Sequence, residues 1–151
     1  MNKIPKLLLH FAISALICAV IACLFHTQMV LLELQKLDVA ISLTDRLSMS
    51  LQDLAGLLPT YGAIVCLGLS IAFTCAWLLR KFTRFRSFYL YSFAGASAML
   101  VILLAMQPIM NITFLAGARS FFGISLQVLA GLIGGLCFTH FRKTQHQWRR
   151  K

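Results

Sequence analysis

Acidic residues are scarce in this chain. Its 151 residues include four, Glu33, Asp38, Asp45 and Asp53, against fourteen lysines and arginines. All four fall between positions 33 and 53, so the rest of the sequence has no carboxylate. That absence removes the paired acids of general acid–base chemistry from every long apolar run. Cysteine is present but carries no pairing pattern. Cys18, Cys23, Cys66, Cys75 and Cys137 all lie inside apolar stretches, and no two form a CxxC. A disulfide framework, a thiol relay and a zinc site are therefore not expected. A GxSxG turn, a phosphate-cradling glycine loop with its lysine and a cluster of metal ligands are also missing. The expectation is a non-enzymatic protein without a cofactor or metal.

What is abundant is apolar sequence. Hydrophobic residues make up 60% and charged residues 12% of the chain, where a soluble domain averages about half and a quarter. The excess lies in four runs, at about 7–32, 61–79, 88–106 and 121–141, none with Asp, Glu, Lys or Arg at its centre. At about 1.5 Å per residue, each approaches or exceeds the length needed to cross a roughly 30 Å hydrocarbon core. The expected fold is all-α: a polytopic four-span bundle forming a single membrane domain over 1–151, with a basic tail at 142–151. Val20-Ile21-Ala22-Cys23 has the form of a lipobox, but the apolar run continues well past Cys23, which favours an uncleaved span.

The basic residues flank these runs and form no separate basic domain, which argues against nucleic acid as a partner. Eleven (Lys3, Lys6, Arg80, Lys81, Arg84, Arg86, Arg142, Lys143, Arg149, Arg150, Lys151) fall on one side of the implied topology. Three (Lys36, Arg46, Arg119) fall on the other. Such a bias places both termini in the cytoplasm, and the general character of the chain suggests a bacterial inner membrane. Arg alternates with Phe in the RKFTRFR turn at 80–86, which reads as a positive inner loop with aromatic anchors.

One stretch is neither apolar run nor basic tail. Residues 37–59, LDVAISLTDRLSMSLQDLAGLLP, hold three of the four acids. Leu43, Leu47, Leu51, Leu54 and Leu58 recur there at helical spacing, Ser42 and Asp45 form a capping-box pair, and Gly56 and Pro59 are stop signals. The spacing predicts an amphipathic helix over about 43–57, lying along the outer interface. An outer polar cluster of Asp45, Arg46, Asp53 and Arg119 is expected, with Arg119 pairing one of the aspartates to pin that helix over the bundle mouth.

Small residues recur every four positions at Gly68, Ala72 and Ala76, and again at Gly131 and Gly135. Such stripes let helix backbones approach closely, within one bundle or between copies. His10 and His140 fall at similar depth near the inner ends of the first and fourth runs. Interfacial side chains are the plainer reading of the pair, a bis-His haem the sharper one. The segments SLTDRLSMSLQDLAGLLPTYG and GLSIAF, with LAGARS and LQVLAGLIGG, resemble a family of small four-span bacterial inner-membrane proteins, a likeness running from Leu37 onward. It implies the same topology and brings no catalytic or binding residue with it. Quinone-linked disulfide oxidases need CxxC pairs. Small multidrug exporters carry a glutamate within the first span, whereas Glu33 lies past its outer end.

The expected function is an inner-membrane accessory or scaffold protein, packed through small-residue faces. Its partners would be membrane lipids and either itself or another integral membrane protein. The competing expectation is a small oligomeric permease or channel for an uncharged or apolar solute.

Overall fold

The computed structural model describes the backbone of residues 3–36, 42–83, 86–110 and 121–148. Side chains are described over 5–36, 42–83, 86–105 and 121–142. Among these residues every element is helical: α1 (Lys3–Gln35), α2 (Leu43–Phe82), α3 (Ser87–Met110) and α4 (Phe121–Trp148). Each helix packs against the next and α4 closes back on α1, the ring of an up-and-down four-helix bundle.

All four helices are long and apolar enough to cross a membrane. Leu16, Leu67, Ile71, Phe93 and Val101 point outward with 57–77% of their surface exposed. An apolar shell of that extent suits lipid and is far beyond the patches a water-soluble surface carries. By the length and composition of its helices this is a multi-pass membrane protein.

The tightest contact is between α3 and α4, and glycine permits it. A Cβ on Gly95 would stand 2.2 Å from the Gly131 carbonyl oxygen, and one on Gly131 would stand 2.3 Å from that of Gly95. A Cβ on Gly135 would meet the Tyr91 carbonyl oxygen at 2.2 Å, and one on Gly134 would press on the Cys18 side chain of α1 at 2.8 Å. The Gly131/Gly135 stripe is thus occupied inside the bundle. Below it, Phe73 stacks on Phe138 at 4.8 Å and meets Tyr91 and Phe11 edge-on at 5.5 and 6.0 Å. Val65, Leu69 and Met99 fill the axis between these levels with no exposed surface.

The main departure from the sequence expectation is at residues 43–57. They form no separate amphipathic helix: α2 runs unbroken for 40 residues, with Pro59 inside it. At about 1.5 Å per residue this is roughly 60 Å, about twice the hydrocarbon thickness. The Ser42–Asp45 capping box is present at its start. Pro59 lacks the N–H that would bond to the Ala55 carbonyl, yet the helix continues through it, with Leu54, Leu57 and Leu58 packed against the core just before the proline. Of the leucine stripe, only Leu54 and Leu58 join the inward face that continues through Tyr61, Val65 and Leu69. The stripe's first members, Leu43, Leu47 and Leu51, are exposed. α4 likewise extends beyond the expected span, through the basic stretch to Trp148.

Candidate functional site: a polar seam between α1, α2 and α4

The half of α2 before Pro59 turns its polar side toward α1. Arg46, Ser50, Asp53 and Leu57 follow one another at helical spacing, and Arg46 and Asp53 both reach α1. Arg46 Nη1 donates to Gln28 Oε1 at 3.4 Å. The Thr27 hydroxyl stands 2.9 Å from Asp53 Oδ2 and 3.1 Å from the Cys23 carbonyl oxygen, so its single proton serves one acceptor at a time. Both are polar contacts close to apolar surroundings, where an unmade hydrogen bond is expensive.

One level deeper, Gln127 of α4 ties three helices together. Its amide Nε2 donates to the Ala22 carbonyl oxygen of α1 at 2.9 Å, and its Oε1 accepts from the Tyr61 hydroxyl of α2 at 3.1 Å. Gln127 and Tyr61 are both buried. Side-chain amides bonding across helices act as glue in lipid-facing bundles and fix helix register. Between these two levels lies His26, also buried, whose Nδ1 has no hydrogen-bond partner among the described residues. The Asp53 carboxylate is close enough to act on that imidazole through space.

Three of the four residues expected to form an outer cluster are described. Arg46 and Asp53 contact α1. Asp45 is fully exposed and is bonded to Ser42 in the cap. Arg119 lies outside the described residues. Of the small-residue face, Ala76 is buried, Ala72 is half-buried, and a Cβ on Gly68 would fall 2.5 Å from the Ile102 side chain of α3.

Thr27, Tyr61 and Gln127 were not among the sequence candidates, although one signal for Gln127 was present. It stands on the same four-residue stripe as Gly123, Gly131 and Gly135, so the only amide in that run falls on its close-packing face. At the opposite end, His10 stacks on Phe141 at 6.0 Å and His140 meets the same ring edge-on at 6.2 Å. Among the described residues no three His, Cys, Asp or Glu side chains gather as a metal-binding group. Chemically, the seam provides hydrogen-bond donors and acceptors at the end of the bundle away from His10 and Phe141. Comparison with protein-family models, with curated proteins and with solved structures finds no match to this chain.

Proposed function

We propose that the protein is a non-enzymatic accessory or scaffold component of a bacterial inner membrane. In this reading it receives a transmembrane helix of another integral membrane protein, or of a second copy, in the groove between α2 and α3. One observation carries the reading. That groove, about 380 Å³, opens on the lipid-facing side, and small residues such as Ala72, Ala94 and Ser97 line it together with Ile71, Phe93 and Val101. Without a hydrophobic drive between helices in lipid, close backbone approach across small residues is what makes association favourable. The Gly131/Gly135 stripe is occupied within the bundle and Gly68 is covered by Ile102, so a partner would meet the groove at its exposed residues Cys75, Phe93 and Ser97. The filled axis at Val65, Leu69 and Met99 also suits a packing role better than a conduit.

The resemblance to small four-span inner-membrane proteins supports the location, and the charge bias supports an orientation with both termini cytoplasmic. Arg80, Lys81, Arg86 and Arg142 would then face the cytoplasm, and Asp45 and Asp53 the outside. Single cysteines at Asp45 and Arg86, in a cysteine-free background, test this with an impermeant maleimide on intact cells. Labelling is expected at position 45 alone, and labelling at 86 alone reverses the orientation. For the groove, Ser97→Leu fills an exposed position while leaving the core untouched. The wild-type chain should copurify with a membrane protein or a second copy, and the variant should fold normally by circular dichroism and lose it. Retention of the same complex would refute the assignment.

A second reading has one observation in its favour. The polar seam with the unpartnered His26 Nδ1 would suit a permease for an uncharged hydrogen-bonding solute, completed by oligomerisation. Solute flux into proteoliposomes that falls with His26→Phe would support that reading over the scaffold.

A further inference from the structure

A second groove lies between α1 and α2 at the basic end of the bundle. It encloses about 350 Å³, within the roughly 300–1,000 Å³ of ordinary ligand sites, and its walls include Leu7, Phe11, Thr74, Trp77 and Phe138. Arg142 of α4 stands at its edge, half-buried. One guanidinium N–H group donates to the Tyr91 hydroxyl at 3.1 Å, and the cation sits 5.8 Å from the centre of the same ring. Lys81 Nζ lies 4.2 Å from the centre of the ring of Trp77, itself part of the groove wall.

Neither cation has an acidic partner among the described residues. Among the described residues the one ion pair is Lys36–Glu33, at the opposite end of the bundle. By sequence, all four carboxylates lie between Glu33 and Asp53. Arg142 is therefore fixed by an aromatic ring and a phenol, with further N–H donors directed to no described acceptor. Its planar fork of donors matches a phosphate. The surrounding surface is apolar and lipid-facing, so the matching molecule combines an anionic headgroup with hydrocarbon. We propose that this groove binds one anionic phospholipid, its phosphate on Arg142 and an acyl chain along Leu7, Phe11 and Thr74. The site lies on a different face from the α2/α3 groove and does not depend on the scaffold reading.

The test uses the full-length protein in mild detergent, with native mass spectrometry counting retained lipids. The lipids are phosphatidylglycerol and phosphatidylcholine of identical chains, with inorganic phosphate as the headgroup-only control. A single phosphatidylglycerol should be retained about fivefold or more over phosphatidylcholine, the preference expected from one well-placed cation near a surface. Arg142→Gln should abolish the preference and Arg142→Lys should keep part of it. Thr74→Trp, at an exposed position in the groove, should displace both lipids from this site while the helical circular dichroism is unchanged. Equal retention of the two lipids by the wild-type protein would overturn the proposal. So would undiminished selectivity in Arg142→Gln, or thermal stabilisation by inorganic phosphate equal to that by the anionic lipid.

Discussion

A single methyl group at Gly135 would stand 2.2 Å from the Tyr91 carbonyl oxygen, and no change of rotamer relieves a clash with backbone. Gly135→Ala must separate α3 from α4, at a cost of about 1–3 kcal/mol by analogy with overpacked cores. Gly56→Ala has open space at its Cβ and should be neutral or slightly stabilising. Thermal or SDS-titration unfolding of the two variants checks the contrast, and equal losses would contradict the close packing. The Tyr61–Gln127 contact is smaller in scale. Tyr61→Phe and Gln127→Leu should each destabilise, with a coupling of about 0.6 kcal/mol between them, the typical size of a hydrogen bond across helices in a membrane. A double-mutant cycle giving no coupling would mean that the two side chains act independently. The small-residue stripes were legible in the sequence at this scale because they are periodic. Which stripe served which neighbour was not, since a one-dimensional period does not name a partner helix.

α2 is the element where local sequence signals and packing disagree. Gly56, Pro59 and the polar run around Asp53 all argue for a break, because they weaken helix propensity or prefer water. Tertiary contacts outweigh them. Thr27 and Gln28 of α1 supply partners for Asp53 and Arg46, while Leu54, Leu57 and Leu58 anchor the region around the proline. Spin labels at the exposed positions Gln52 and Leu67 test continuity directly. Fifteen residues of unbroken helix separate them by about 22 Å, so a narrow distance distribution near that value is expected. A broad or much shorter distribution would restore the separate amphipathic helix. Exchanging Asp53 for Leu should loosen the segment before Pro59 without unfolding the bundle. Faster proteolysis near Leu51, with unchanged overall helicity, is the expected signature.

For the molecule as a whole, lipid is the solvent that makes the outward leucines and phenylalanines favourable and every unpaired backbone group costly. The cysteines report this arrangement. Cys75 is exposed on α2, whereas Cys18 and Cys23 are buried on α1. In detergent, maleimide should modify Cys75 well before Cys18 or Cys23, and loss of that order would indicate a loosened bundle. The helical class, the number of spans and the segregation of basic from acidic flanks were determined by the sequence alone. Each follows from run length, hydropathy and side-counting, which are properties of position along a chain. The destination of the polar face of α2, the three-helix bond at Gln127, the internal use of Gly131 and Gly135 and the open grooves were decided only by tertiary structure. They depend on which residues of different helices reach the same depth, and the azimuth and register that set this arise from packing among all four helices.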